Sequence, residues 1–510
     1  MYRDQKHFPS MRSSFQLALL CLLIVLTHPS RAEGLLAGVG KVDITRPGED
    51  AGSNPPLVKA LVLSKGVTNV VIITLDAVAI AEIGSIRDPY LAEVRAALSD
   101  SFGIKAESVL INASHCHALV ADDVAARTVQ AVKIAWESRV PVKAGVGVGH
   151  EDGIMENRRL KLKSGAEVDV RHAYALPPDE AVAAVGPIDP RIGLVRFDRV
   201  DSGLPLAAVY QFACHPIQGI PSGGNTADLT GFASQVIEAN LGDGSAMAFF
   251  LQGCGGDINP VLYKSVNLPR DGEMHGNQLG LSALAGLRKI TTKADVPLGI
   301  ARETLTIPRA DLAPRIAEMG TEIDRLLESL KGTKLNFETF LPLYVKYHVN
   351  ADFPSEASSR YLQDELLKKE DWKTLDTNNR AAIDAYLLNI RVMENITRKQ
   401  INLALLERHQ SHYVEAGKVV AAEVVGLRIG DFRLVTFPAE LTVEVGFGIR
   451  GKSAHPLTFV SGYTNGYLYY APTVEQMKNR GGAQEDSDCL LGPEWQGMFE
   501  SKALEILKSL

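Results

Sequence analysis

Hydrophobic and polar positions along this chain fall into three textures. From Gly34 to about Pro308 the apolar residues gather in short runs closed by polar, Gly or Pro residues. "NVVIITLDAVAI" (Asn69–Ile80), "PLAAVYQFACHP" (Pro205–Pro216) and "AMAFFLQGCGGD" (Ala246–Asp257) are such runs. Continuous runs rich in apolar residues predict strands covered on both faces. Between the last two, "LTGFASQVIEANLG" (Leu229–Gly242) has a helical pattern that Gly242 stops. Strand, helix, strand and a Gly-rich turn predict an α/β fold, which places chemistry at strand ends.

The second texture is helical. "ADLAPRIAEMGTEIDRLLESLKG" spaces Ile316, Met319, Ile323, Leu326, Leu327 and Leu330 along one face, with Pro314 in the first turn and Gly332 at the stop. Asp376 to His409 likewise carries Ile383, Tyr386, Leu387, Ile390 and Met393 on one face. Both faces read as core. Residues 308–415 are therefore expected to form a helical insertion or lid beside the main sheet. From Gly417 the strand texture returns in "KVVAAEVVGLRIGDFRLVTFPAEL", where "IGDF" predicts a hairpin turn.

The N-terminus has its own pattern. Arg12 precedes an apolar run, Phe15 to His28, and Ser30 and Ala32 then fit the small-x-small signal before a cleavage point. This predicts a signal peptide over residues 1–32, with Met11 as an alternative start, and a secreted or periplasmic mature chain. The rival reading is a retained anchor, although the run is shorter than the ~18 apolar residues of a typical span. Cleavage leaves Cys116, Cys214, Cys254 and Cys489 in a compartment where disulfides can form, and spacing alone assigns no pairs.

Composition narrows the partners. Hydrophobic residues make up 46% and charged residues 22%, as in a globular protein with a large core. The formal net charge is −7, with no long run of one sign. That argues against a nucleic-acid partner, which requires a concentrated basic face.

Candidate chemistry concentrates in four segments. Only 12 of 510 residues are histidine, yet "INASHCHALVADD" (Ile111–Asp123) places His115 and His117 two apart at a predicted strand end. His215 follows a strand in Ala213-Cys214-His215-Pro216, and Glu440 follows another in Phe437-Pro438-Ala439-Glu440. "SGYTNGYLYYAPT" (Ser461–Thr473) holds Tyr467, Tyr469 and Tyr470. Imidazole and carboxylate are ordinary zinc ligands. By residue type alone two readings stay open. One is a convergent metal site, for which Cys116 and Cys214 compete as ligands. The other is a set of hydrogen-bonded core histidines, a turn or capping glutamate and an aromatic rim.

Seven segments in order give the chain a family resemblance. They are "AGVGKVDITRPGE" (Ala37–Glu49), "VLINASHCHALV" (Val109–Val120), "FACHP" (Phe212–Pro216), "TADLTGFAS" (Thr226–Ser234), "FLQGCGGDINP" (Phe250–Pro260), "PAELTVEVG" (Pro438–Gly446) and "GYTNGYLYYAPT" (Gly462–Thr473). Together they resemble the catalytic domain of the neutral/alkaline (non-lysosomal) ceramidase family. The resemblance implies an α/β mixed-sheet zinc hydrolase domain over residues 33–510, with one Zn2+ per chain. Its implied ligands are His115, His215, Glu440 and Tyr470. Tyr470 is preferred to Tyr467 because Asn465 sets the register of the family's Asn-x-Tyr-x-x-Tyr segment. His117 is implied to move protons or hold the substrate carbonyl.

Two departures qualify the implied activity. The family carries a serine where this chain has Asn259, in Gly256-Asp257-Ile258-Asn259-Pro260. An amide can donate to an oxyanion but cannot act as a nucleophile. The family's C-terminal immunoglobulin-like sandwich is also expected to be missing, since the chain ends at Leu510. The expectation is an exported zinc amidohydrolase, with Asn259 and His117 as its catalytic residues. Its substrate would be ceramide or a related N-acyl lipid, or a small molecule, met at a membrane surface. The alternatives are zinc hydrolysis of an ester or N-acetyl substrate, and a non-catalytic ceramidase-like protein.

Overall fold

The structure, a computed structural model, describes residues 1–2, 34–170, 177–219, 225–261 and 271–510. Residues 3–32 of the expected signal peptide therefore lie outside the described residues. Among those residues no helix is long and apolar enough to cross a membrane.

The first texture folds into one eight-stranded sheet. In chain order its strands are β1 (Leu36–Asp43), β2 (Leu57–Lys65), β3 (Thr68–Leu75), β4 (Val109–Ala113), β5 (Val140–His150), β6 (Arg191–Arg199), β7 (Pro205–Phe212) and β8 (Met247–Gln252). In space the order is β8-β7-β6-β5-β1-β2-β3-β4. The pairs β3–β4 and β7–β8 are parallel and the others antiparallel. Each parallel pair is bridged by a helix: α1 (Tyr90–Phe102) joins β3 to β4, and α3 (Asp228–Asn240) joins β7 to β8. The ends of these two parallel pairs will carry the histidines.

The continuous apolar runs are explained by two-sided burial. Along β3, Val71, Ile73 and Leu75 face one core while Val70 and Ile72 face another. Side chains alternate along a strand, so a strand between two cores must be apolar throughout. The second core lies against a four-stranded sheet: β9 (Leu298–Pro308), β10 (Val419–Ile429), β11 (Phe432–Thr436) and β12 (Thr458–Ser461). Leu61, Ile72, Val195 and Val209 of the large sheet meet Val425, Leu427, Leu434 and Phe459 of the small one. Helices cover the outer faces. On the large sheet these are α1, α2 (Val124–Glu137), α3 and α4 (Glu273–Leu287). α10 (Trp495–Ser509) covers the small sheet. The architecture is thus helix, sheet, sheet, helix.

The predicted elements form with shifted ends. The expected helix at Leu229–Gly242 runs Asp228–Asn240, and Gly242 then adopts φ +74°. The "IGDF" hairpin pairs Ile429 with Phe432. The run Asn69–Ile80 stops being a strand at Leu75, and Asp76–Ile80 continues as a buried bend.

The second texture folds into helices beginning with α5 (Ala313–Ser329), α6 (Phe337–Val349) and α7 (Ser359–Leu366). They pack along α8 (Asp371–Glu415), a single helix of 45 residues. At 1.5 Å per residue α8 is about 68 Å long. Met319 and Ile323 of α5 bury against Ile396 and Leu406 of α8, and Phe340 and Tyr347 of α6 against Ile383. The expected faces are narrower than the sequence pattern implies. Leu327 is 50% exposed and Met393 49% exposed, so neither reaches core. A short helix, α9 (Val443–Lys452), begins three residues after Glu440.

The closest interlayer approach predicts a measurable cost. A Cβ on Gly38 of β1 would sit 1.9 Å from the Ala135 carbonyl oxygen of α2. Backbone cannot yield as a flexible side chain can. Gly38→Ala should lower stability by about 1–3 kcal/mol through overpacking, read as a lower midpoint in chemical denaturation. An unchanged midpoint would mean that α2 is free to back away from the sheet.

Candidate metal centre

Three segments far apart in sequence converge where the parallel pairs end. Asn112, at the end of β4, ties them together. Its Nδ2 donates to Gly462 O and Thr464 Oγ1, both at 2.9 Å, and its Oδ1 accepts from Gln252 N at 2.8 Å. The chain then turns, with Ser114 N bonded to Leu75 O and His115 N to Ala77 O. His115 itself has φ +70°, in the left-handed region that β-branched or bulky side chains rarely adopt. After β7, His215 N bonds Ile258 O at 2.9 Å. Glu440 lies in a two-residue strand, Glu440–Leu441, paired in parallel with Tyr470–Ala471.

These anchors aim three ligand atoms at one point. His215 Nε2 lies 3.1 Å and His115 Nε2 3.5 Å from Glu440 Oε2. All three side chains are buried, and their ligand atoms lie within 4.8 Å of one another. The tautomers follow from the other ring nitrogens. His115 Nδ1 is 2.6 Å from Val78 O and His215 Nδ1 is 2.9 Å from Ile258 O. A carbonyl only accepts, so both Nδ1 atoms donate. In a neutral imidazole the Nε2 atoms then carry lone pairs. Two lone-pair nitrogens and a carboxylate oxygen thus face each other with no proton between them. That donor set suits a cation, and the backbone carbonyls supply the outer support usual for metal-binding histidines.

Protonation favours the same arrangement. Burial, with the neighbouring imidazoles, pulls His115 down to about 3, although Glu440 and the Val78 carbonyl pull the other way. Burial alone would raise the Glu440 carboxyl. His115, His215 and the Tyr467 hydroxyl outweigh it and hold the group well below the usual carboxylate range. The Tyr467 hydroxyl donates to Glu440 Oε1, and Tyr463 donates to Oε2 at 3.0 Å.

The other expected residues take distinct places. The His117 ring lies 5.2 Å from that of His115, and both line one cavity of about 340 Å³. Their shared side arises from the turn at His115 and not from strand alternation. Tyr470 lines the same cavity, with the Arg158 guanidinium carbon 5.3 Å from its ring centroid. Asn259 is buried and outside the described lining; its Oδ1 faces Arg158 Nη1 at 3.4 Å. Cys116 and Cys214 are buried thiols outside the ligand group, and burial pushes both well up. Cys254 and Cys489 are also unpaired.

Several site residues escape a sequence reading. Tyr463 stands two positions before Asn465 in a segment already marked by its tyrosines, so its signal was present but undifferentiated. Arg158 and Arg408 resemble ordinary strand and helix charges, yet both line the cavity. Arg158 is fully buried and bonds Glu485 at 2.6 Å and Gly256 O at 2.7 Å.

No protein-family model matches the sequence, and no curated protein sequence matches it. Solved structures share the fold, two ceramidases among them. The crystal structure of neutral ceramidase from Pseudomonas aeruginosa aligns with a TM-score of 0.56 at 16% identity, covering 93% of this chain and 74% of that one. A ceramidase complexed with C2 aligns with a TM-score of 0.57 at 17% identity, covering 93% and 75%. The chain therefore has the neutral ceramidase fold.

The tyrosine segment is pinned to β4 by Asn465, whose Oδ1 accepts from Ile111 N at 2.8 Å. Asn465→Ala leaves that buried amide unpaired and should cost about 1–3 kcal/mol. Chemical denaturation checks this, and a loss below about 0.5 kcal/mol would show that another acceptor replaces the side chain.

Proposed function

We propose that this chain, built on the neutral ceramidase fold, is an exported metal-dependent amidohydrolase that cleaves an N-acyl bond. The observation that carries the reading is the buried His115, His215 and Glu440 group, whose ligand atoms converge with no proton between them. One zinc ion fits that donor set, with Tyr470 as the fourth ligand. Such an ion would supply a Lewis acid that polarises the acyl carbonyl and acidifies water.

The remaining roles belong to the chain's own groups. His117 reaches the cavity from an exposed position and carries protons between water and the leaving amine. Arg158, charge-paired with Glu485, presents its guanidinium to the cavity, and Asn259 positions that group to steady the acyl oxygen. Asn259 offers no hydroxyl nucleophile at this turn, so water is the attacking group. The first substrates to test are ceramide and related N-acyl lipids, because the chain shares its fold with ceramidases.

Purified protein should hold one zinc, and His215→Ala and Glu440→Ala should each lose it on dialysis. His117→Ala should keep the zinc while slowing turnover on an acyl-amide panel roughly 10²–10⁴-fold. If both ligand variants retain full zinc, the centre is wrongly assigned. Equal activity with and without chelator would remove the metal from the chemistry.

The export assignment rests on Arg12, the Phe15–His28 run and the Ser30–Ala32 signal. N-terminal sequencing should find the mature chain beginning near Glu33. A mature chain retaining Phe15 to His28 would refute the cleavage.

A further inference from the structure

The cavity carries a second cationic group that hydrolysis does not require. Helix α8 brings Arg408 to the cavity wall, with its side chain 40% exposed. The guanidinium carbon stacks 4.6 Å from the Tyr469 ring centroid, and one Nη2 bond runs to Asp488 Oδ1. Asp488 has other donors. His409 Nε2 reaches the same oxygen at 2.7 Å, and Gln484 Nε2 reaches Oδ2 at 3.2 Å. Arg408 is thus not the sole support of a buried carboxylate. Its other N–H groups reach no acceptor among the described residues.

Stacking and a single bond hold this guanidinium in one orientation while leaving its donor edge open. A guanidinium so placed is suited to a bidentate anion. Arg158 lines the same cavity, but its salt bridge to Glu485 at 2.6 Å offsets its charge. The cavity's own carboxylates, Glu440 and Asp488, are already engaged by the tyrosines and by Arg408, His409 and Gln484, so Arg408 offers the open donor edge. The described aliphatic lining is limited to Ile83 and Ile217. A cavity of about 340 Å³ lets one small molecule touch both the His115–His215–Glu440 group and Arg408.

We propose that the substrate carries an anionic group, carboxylate or phosphate, close to the scissile N-acyl bond, and that Arg408 binds it. This rests on the N-acyl hydrolase reading and narrows it toward acylated amino acids or acylated phosphoamines.

Matched probes test the proposal: N-hexanoyl-glycine against N-hexanoyl-glycinamide, and N-hexanoyl-phosphoethanolamine against N-hexanoyl-ethanolamine. Calorimetry on metal-loaded and chelated protein measures binding, and amine release measures turnover. In the wild type at least one anionic probe should bind roughly 10- to 100-fold more tightly than its neutral match, the range of one charge-assisted hydrogen bond. The pair that shows it identifies the anion. The ratio should approach one in Arg408→Gln and stay intermediate in Arg408→Lys, which keeps the charge. A preference that survives Arg408→Gln at full zinc content would assign the anion to the metal and overturn the proposal. Equal binding and cleavage of both members of each pair would overturn it while leaving N-acyl hydrolysis intact. If no probe is cleaved, the hydrolase reading fails on this panel. The Arg408-dependent binding ratio then still decides whether the cavity reads an anion.

Discussion

The structure turns on one buried carboxylate. Glu440 is 2% exposed, and an ion taken out of water must be compensated or it neutralises itself. Here compensation comes from Tyr463 and Tyr467, which donate to its two oxygens, while two imidazoles turn lone pairs toward one of them and leave a donor set that a cation would complete. Each of these groups is fixed in turn. The imidazoles are anchored to the Val78 and Ile258 carbonyls, and the tyrosine segment is sutured to β4 by Asn112 and Asn465. The strand ends are therefore not free to drift apart. Moving any one of them would leave a buried charge or a buried amide unsatisfied.

The two-sheet core supplies the rigidity this arrangement needs. His115 and His215 follow β4 and β7, both in the large sheet, while Glu440 follows β11 in the small sheet. The site thus spans the junction of the sheets, and the apolar layer between them sets its dimensions. Close packing makes that spacing stiff, because interior side chains interdigitate at crystal-like density. The outer helices reinforce it from both sides.

Much of this was legible in the sequence, for identifiable reasons. Strands buried on both faces write themselves as unbroken apolar runs, so β3, β7 and β8 were visible. The chain's ligand-type residues stand out because histidine is rare in it. Strand ends were less legible, since the buried bend Ala77–Ile80 is as apolar as the strand before it. The turn at His115 has no composition signal, because a positive φ is imposed by the contacts around it. Arg158 and Arg408 were invisible as site residues. A guanidinium shows its role only once the fold reveals what it faces. Leu327 and Met393 fit a helical stripe, yet they lie at its margin, where about half of each stays exposed.

The sequence separation within the centre orders events during folding. The contact between His215 and Glu440 joins residues 225 positions apart, and Asn465 reaches back 354 positions to Ile111. Contacts this distant close late, because the entropy of a long loop is lost before any of them forms. No pair of the converging ligands is held together by local structure. The three candidate ligand atoms come together only where the two sheets join. A cation bound there would hold the two sheets together at their junction, so its binding free energy would add to the stability of the folded chain.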